Sequence, residues 1–356
     1  MVNPSTVWYH LESELVKPFT SKYDEYGFER PEDFDYALYE NFMSQYLKVL
    51  ALRSKKWTSI MASPKGLKKS SGLKADIRKG IPLEHREKVW MFVSGANEER
   101  KKYPGDIYSD LIYAMHDKDL EDTIRTDLPR TFPENIYFNK SDESEGPNFQ
   151  RQLFRVLVAY GHHNRKVGYC QGMNYIAGLL LLVTKNEEST FWLLKMLVEK
   201  ILPDYYSTTM DGLLTDIDVI SELVRLRYPD VSAHMNNLGL PWPVITTKWF
   251  ICLFCEVLPT ETVLRIWDCL FNEGSKILFR VALTIISLHR AEILGCEQFV
   301  DLSDCLKGIV KGPSTLYCHK FLEQIFKVPG KLSSKGLTKM RRNMSKSRHL
   351  RKFKVD

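Results

Sequence analysis

The chain has 356 residues, of which 44% are hydrophobic and 26% charged, a composition typical of a globular protein with one large domain or two subdomains. No apolar run reaches the roughly 18 to 20 residues of a bilayer span, and the first residues lack the apolar core of a signal peptide, so we expect a cytoplasmic protein. The net charge of +6 is concentrated in residues 331–356, where ten Lys or Arg face one Asp. The remainder carries about −3, which argues against a nucleic-acid-binding surface.

The first 70 residues form a predicted extension. Residues 23–34 are acidic and aromatic, and they could pack onto a larger body. From Arg53 to Lys79 the composition shifts to Lys, Ser and Gly, which predicts a linker or surface loop. We therefore divide the chain into an extension with a basic linker at 1–70, a domain at 71–330 and a basic tail at 331–356, whose composition predicts disorder.

Helical periodicity dominates the predicted domain. A first helix begins at Ile81-Pro82, where proline suits the first helical position, and it ends at Ser94-Gly95. Clean alternation typical of strands is absent from the sequence, and so are repeats of fixed period. The predicted fold class is all-α. Apolar residues recur at helical spacing in the segments 149–160, 191–201, 213–224, 260–271, 281–288 and 321–328.

Seven cysteines suit a reducing compartment. Cys252 and Cys255 form a C-x-x-C pair, but the pair lies in an apolar segment, and no second Cys or His pair follows at zinc spacing. Free cysteines are among the most buried residues, so we interpret both as core thiols and predict no metal site.

Nucleotide-binding motifs are absent from the sequence. It contains neither the glycine-rich phosphate loop that ends in Lys-Ser or Lys-Thr nor the G-x-G-x-x-G fingerprint. The zinc-protease and serine-hydrolase signatures are missing as well. We therefore expect no cofactor of the protein's own.

One candidate residue is Arg130, which lies between Pro129 and Pro133. The prolines restrict the local backbone, so a long cation is presented from a stiffened loop. Asp127, three residues earlier, could pair with Arg130 or cap a local turn. Taken alone, a surface arginine of this kind is more often solvated or structurally paired than catalytic.

A second candidate is Gln171, in the segment Gly168-Tyr-Cys-Gln-Gly-Met-Asn174, directly before the most apolar run of the chain. Its amide could cap a helix, or it could orient a water molecule. Together with Arg130 it gains a further interpretation. Phosphoryl transfer needs a cation to stabilise charge on the phosphate oxygens and a polar group to orient the attacking water, and an arginine and a glutamine supply these two functions.

At three motifs the sequence resembles the TBC domain proteins, which act as GTPase-activating proteins for Rab GTPases. The first motif is Arg86-Glu-Lys-Val-Trp90, the second is Ile124-x-x-Asp127-x-x-Arg130, and the third is Tyr169-Cys-Gln171-Gly172. Residues 259–274 also resemble the family's C-terminal half. The resemblance covers roughly residues 73–326, and three motifs in the family's order make it more specific than any one alone.

The resemblance implies an all-helical fold with two helical subdomains in a V. It also implies that Arg130 is an arginine finger and that Gln171 is a glutamine finger standing in for the glutamine of the GTPase. Asp127 would support the Arg130 loop, while Tyr169 and Gly172 would shape the turn that presents Gln171. The remaining motif residues are expected to have structural roles: Arg86, Trp90 and Ile124.

The implied partner is a Rab-family GTPase in its GTP-bound state, which brings the GTP and Mg²⁺ itself. An alternative is a non-catalytic effector or scaffold that binds a Rab without accelerating hydrolysis. The basic tail has two open interpretations, a solvated disordered end or a patch for anionic lipid at endomembranes, where each Lys or Arg gains roughly 1 kcal/mol.

Overall fold

A computed structural model describes residues 21–64, 66–139 and 148–352, and this part of the chain is all-α, as predicted. Outside the helices it contains two isolated β-bridges, Tyr23 with Glu29 and Phe28 with Asn135. The helices are α1 (Tyr36–Met61), α2 (Ser71–Lys79), α3 (Leu83–Val93), α4 (Ala96–Arg100), α5 (Ile107–Tyr113), α6 (Lys118–Asp127), α7 (Phe149–His163), α8 (Met173–Thr184), α9 (Glu187–Met196), α10 (Asp211–Arg227), α11 (Pro229–Asn237), α12 (Trp242–Ile251), α13 (Thr260–Glu273), α14 (Lys276–Leu288), α15 (Arg290–Leu294), α16 (Phe299–Gly308), α17 (Pro313–Leu316), α18 (Cys318–Lys327) and α19 (Ser334–Lys352).

The helices fall into two groups. In the first, α7 packs against α5, α6, α8 and α9, while α3 packs on α8 and α9. Helix α8 is the centre of this group, because all its residues except Tyr175 are buried. In the second group α10 packs against α11, α12 and α14, and α13 packs against α14 and α18. The apolar stripes of the sequence form the contacts within both groups, as the hydrophobic effect requires.

A buried ionic cluster joins the two groups where α3 packs on α13. Arg86 donates to Glu261 through both terminal nitrogens, each at 3.1 Å, and its Nε lies 3.4 Å from Asp268. The indole nitrogen of Trp90 donates to Asp268 Oδ1 at 2.9 Å. Both Arg86 and Trp90 are fully buried, so the pairing is needed to compensate for their desolvation.

The structure differs from the prediction of a linker at Arg53 to Lys79. Helix α1 continues through Arg53 to Met61, and α2 occupies Ser71–Lys79. Trp57, in the last turns of α1, is buried and donates to the carbonyl of Gly80 at 2.7 Å. The Lys and Ser content reflects the solvent-facing sides of these helices, and the few apolar residues between them hold both helices on the domain.

The prediction of a disordered tail is also corrected, since Ser334–Lys352 forms α19. Leu337 is buried, and Arg341 makes a bidentate pair with the buried Asp216 of α10 at 2.6 and 2.7 Å. Arg348, about two turns further along α19, pairs with Asp218. Tertiary contacts therefore compensate for the weak helical pattern of this segment. Residues 353–356 lie outside the described part. No helix in the described ranges is long and apolar enough to cross a membrane.

Candidate functional site

The Arg130 loop follows directly from the end of α6. A 3₁₀ turn over Leu128–Arg130 contains Pro129, so the proline stiffens a turn, as expected. The side chain of Arg130 is 65% exposed, and its Nη1 lies 3.9 Å from Asp127 Oδ1. A contact of that length on an exposed side chain contributes little to stability. Arg130 therefore projects into solvent from a structured turn.

Buried residues fix the loop on either side of Arg130. The hydroxyl of Thr131, which is fully buried, donates to the carbonyl of Asp127 at 2.9 Å. Phe132 is buried as well and has a positive φ of 51°, an uncommon conformation for a bulky residue. Its ring packs edge-to-face on the ring of Tyr175, with the two ring centroids 5.6 Å apart. These contacts hold the strained backbone immediately after the exposed arginine.

The Gln171 loop turns sharply into the core. Gln171 is exposed, whereas Gly172, Met173 and Asn174 are all buried. Gly172 has φ +104°, which is favourable only for glycine, and its N–H donates to Asn174 Oδ1 at 3.0 Å. The side-chain hydrogen bond at the start of α8 thus comes from Asn174, inside the first turn. Within the described part of the chain Gln171 makes no side-chain hydrogen bond, so the amide is available to another molecule.

Three hydrogen bonds connect the two loops. Tyr169 Oη donates to Asp127 Oδ2 at 2.7 Å, and Asn174 Nδ2 donates to Thr131 Oγ1 at 2.8 Å. Tyr175 Oη donates to the carbonyl of Arg130 at 3.2 Å. The structure thus brings together Asp127, Arg130, Tyr169, Gln171 and Gly172, the residues predicted for the site.

The protonation states at these loops suit hydrogen bonding. Burial and the hydrogen bond to the Asp127 carboxylate raise the pKa of Tyr169 well above its usual value, so its hydroxyl remains a donor. Burial, with a smaller effect of Asp127, also raises the pKa of the Cys170 thiol. Cys170 is therefore protonated at neutral pH and is a poor nucleophile.

Sequence reasoning missed three of these residues: Thr131, Asn174 and Tyr175. Two signals in the sequence could have indicated Thr131 and Asn174. Thr131 and Asn174 each lie within three residues of a predicted finger, and both are polar residues that adjoin apolar ones. A polar residue that leads into an apolar helix needs a partner, because burying it unpaired is costly.

The other predicted motif residues lie away from solvent. Arg86 and Trp90 belong to the buried ionic cluster between α3 and α13, and Ile124 is fully buried on α6. None of the three is exposed to a docking protein in this conformation.

The described residues contain no group of three or more His, Cys, Asp or Glu side chains that could hold a metal ion. Cys252 and Cys255 are free and buried, in agreement with their interpretation as core thiols. Burial raises the pKa of the Cys252 thiol to about 12, so it is protonated at neutral pH.

The chain is similar to known proteins over most of its length. Residues 83–294 match the family model of the Rab-GTPase-TBC domain. The growth hormone-regulated TBC protein 1 of Homo sapiens is 53% identical over 318 residues, which cover 89% of this chain and 93% of the relative. Its counterpart 1-A of Danio rerio is 51% identical over 318 residues, 89% of this chain and 88% of that protein. The crystal structure of the Chlamydomonas flagellar RabGAP TBC domain superposes with a TM-score of 0.72 at 32% identity, covering 86% of this chain and 99% of that one. The chain belongs to the RabGAP-TBC domain family.

Proposed function

We propose that this protein is a GTPase-activating protein that accelerates GTP hydrolysis by Rab-family small GTPases, with Arg130 and Gln171 supplied in trans. Family membership supports the general activity. The finger assignment depends on one observation: two exposed polar side chains project from turns that hydrogen bonds hold together, one of them fully buried.

Each finger would perform a distinct step. The guanidinium of Arg130 would stabilise the charge that develops on the γ-phosphate oxygens, and the amide of Gln171 would orient the attacking water. The protein needs no cofactor for this, because the partner GTPase in its GTP-bound state brings both the nucleotide and its Mg²⁺. The carboxylate of Asp127, whose Oδ1 lies 3.9 Å from Arg130 Nη1, would orient the guanidinium.

Single-turnover GTP hydrolysis against a panel of Rab GTPases tests the proposal. Arg130→Ala should lose on the order of 10³ to 10⁵ in stimulated rate, the range of an arginine finger in GTPases. Arg130→Lys should not restore the rate, because an ammonium lacks the planar fork of donors. Arg225→Ala is the matched control, since Arg225 is 61% exposed and also pairs with a carboxylate three residues earlier.

Gln171→Ala is the companion variant, and Gln298→Ala is its control, because Gln298 is also exposed just before a helix. Full stimulation by the Arg130→Ala protein with an unchanged melting temperature would contradict the finger assignment. A wild type that binds a GTP-loaded Rab without accelerating hydrolysis by any member of the panel would favour the alternative, a non-catalytic effector.

We also propose that α19 contacts anionic membranes at the cytoplasmic face of endomembranes. Four basic residues at helical spacing are exposed along it: Lys335, Lys339, Arg342 and Lys346. Each would gain roughly 1 kcal/mol near an anionic surface. Replacing all four by Gln should abolish sedimentation with phosphatidylserine vesicles at low salt, and unchanged sedimentation would refute the contact.

A further inference from the structure

A short hairpin that precedes α1 packs against the loop that carries Arg130. It spans residues 23–29, and an antiparallel bridge joins its two ends. Its turn is closed by the Asp24 carboxylate, which accepts from two backbone N–H groups, both at 2.9 Å. The hairpin lies outside residues 83–294, the segment that matches the family model, and the proposed function assigns it no role.

Backbone hydrogen bonds join the hairpin to the segment that follows the proposed arginine finger. The N–H of Glu29 donates to the carbonyl of Glu134 at 3.0 Å. The N–H of Ile136 donates in the opposite direction, to the carbonyl of Gly27, also at 3.0 Å. Because these bonds join backbone groups and not flexible side chains, they fix the position of the segment relative to the hairpin.

Tyr26 anchors the hairpin in the buried ionic cluster between α3 and α13. Its hydroxyl donates to Glu261 and accepts from Arg86 Nη1 at 3.1 Å. Its carbonyl accepts from Nδ2 of Asn135, a fully buried residue of the Arg130 loop, at 3.0 Å. A buried amide is costly to leave unpaired, so moving the hairpin away from the loop is unfavourable.

The ring of Phe28 supports the strained residue of the loop. Phe132, two residues after Arg130, has a positive φ of 51°. Phe28 packs edge-to-face on Phe132, with the ring centroids 5.1 Å apart and the planes at 89°. Phe132 also contacts the rings of Phe138 and Tyr175. A strained backbone persists only where the surrounding contacts hold it, and Phe28 supplies one of these contacts from outside the matched domain.

We propose that the N-terminal hairpin is a positioning element of the GTPase-activating site, in which Phe28 holds Phe132 and thereby sets the direction in which Arg130 leaves its turn. The inference rests on the proposed function of Arg130. The contact of Arg130 with Asp127 is long, at 3.9 Å, so the backbone of the loop supplies most of the orientation. Displacement of a reacting group by about 1 Å can cost 100-fold in rate.

Single-turnover hydrolysis by a GTP-loaded Rab, at varied concentrations of the full chain, tests the proposal. Phe28→Ala should lower the maximal stimulated rate at least about tenfold, because the loop keeps its sequence and loses a support. The affinity for the Rab should change little, since the Phe28 ring packs on residues of this chain. Phe28→Met should retain most of the rate, because a thioether fills irregular space and packs favourably on an aromatic ring.

Phe34→Ala is the matched control for Phe28→Ala. Phe34 is also a half-buried ring that precedes α1, but it packs on Tyr36 and Tyr39. Its loss should leave the stimulated rate unchanged. Equal losses of rate in the two variants would point to general destabilisation of the N-terminal segment and would overturn the proposal.

A second pair of variants acts on the backbone of the hairpin. Gly27 has φ +85°, and a Cβ there would lie 2.7 Å from a ring carbon of Tyr137, so Gly27→Ala should displace the hairpin and slow stimulated hydrolysis. Gly105 has φ +69°, but among the described residues a Cβ there would meet no atom within 4 Å. Gly105→Ala therefore shares the backbone strain without the clash and should keep the wild-type rate. Equal rates of the two variants would count against the proposal.

Amide hydrogen exchange of the full chain, followed by NMR, reports on the loop without any Rab. The N–H groups of Thr131 and Asn135 donate within the loop at 3.0 Å, and both should exchange faster in Phe28→Ala than in the wild type. Unchanged exchange would overturn the proposal, and so would faster exchange together with a wild-type stimulated rate. A wild type that stimulates no Rab would instead refute the GTPase-activating function, and the exchange rates would still decide whether Phe28 holds the loop.

Discussion

The hydrogen bond from Tyr169 to Asp127 gives the sharpest test of how the two loops act together. Tyr169→Phe removes one hydroxyl and retains the ring, which packs against the core. The lost bond is 2.7 Å long and ends on the carboxylate that faces Arg130. The variant therefore changes the support of Arg130 and leaves both proposed fingers in place.

The size of the effect follows from the type of bond. A hydrogen bond to a charged group contributes about 1.5–3 kcal/mol, and each 1.36 kcal/mol corresponds to a tenfold change in rate. Loss of the whole amount would reduce stimulated hydrolysis by roughly 10- to 150-fold. We expect the lower end, about tenfold, because the bonds from Asn174 to Thr131 and from Tyr175 to Arg130 remain.

Single-turnover hydrolysis at varied concentrations of this protein measures the effect and separates rate from affinity. The maximal rate should fall, while the affinity for the GTP-loaded Rab should change little, because the Tyr169 hydroxyl donates to a residue of this chain and not to the partner. Asp127→Asn removes the same charged acceptor, so the losses in the double variant should not add. Full stimulation by Tyr169→Phe, or strictly additive losses with Asp127→Asn, would refute the view that this bond positions Arg130.

Three other outcomes are expected. Burial disfavours ionisation of Glu261, but the charge of Arg86 and the hydrogen bonds to the carboxylate outweigh the burial and lower the pKa of Glu261 to about 2. The ionised carboxylate should therefore contribute on the order of 3 kcal/mol to the free energy of unfolding above pH ~4.5, and this contribution should be lost as the pH falls toward 2. Between these pH values the melting temperature of Glu261→Gln should therefore depend less on pH than that of the wild type. An equal dependence on pH in the two proteins would contradict this. Gly172→Ala should lower the free energy of unfolding by about 1–2 kcal/mol in urea titrations, because residue 172 has a positive φ. The variant should also slow stimulated hydrolysis. An unaltered urea midpoint of unfolding would argue against backbone strain at this position. Arg341→Ala should cost about 1.5–3 kcal/mol by removing the counter-ion of the buried Asp216, which keeps its hydrogen bond from Tyr205. Arg342→Ala, at an exposed neighbouring residue, should be neutral, and equal effects of the two variants would count against docking of α19 through this pair.

The sequence predicted well those features that depend on local pattern. The all-α class follows from apolar periodicity, and the limits of α3 follow from Pro82 and Gly95. The loops that carry Arg130 and Gln171 were located because prolines and glycines mark turns whatever the tertiary context is. These signals act over a few residues, so one sequence is sufficient to detect them.

Features that depend on distant partners were not predictable in this way. The C-terminal helix has a polar composition, and what holds it is Asp216, which lies 125 residues from its partner Arg341. Likewise, Arg53 looks like any basic residue of a linker until the fold places it beside Arg265. A pairing over such distances leaves no local pattern in one sequence, because either residue alone is compatible with a solvated surface.

The contact between the two loops bears on whether the protein acts as a catalyst or as an effector. An effector needs only a surface complementary to a Rab, and its loops can become ordered on binding. Here the bond between Asn174 and Thr131 is buried on both sides, and its polar groups are desolvated even in the free protein. Such a bond fixes one loop relative to the other before any partner arrives. Fixed geometry matters most for a reaction, where displacement of a group by about 1 Å can cost 100-fold in rate. The preformed connection between an exposed arginine and an exposed glutamine therefore favours catalysis over binding alone.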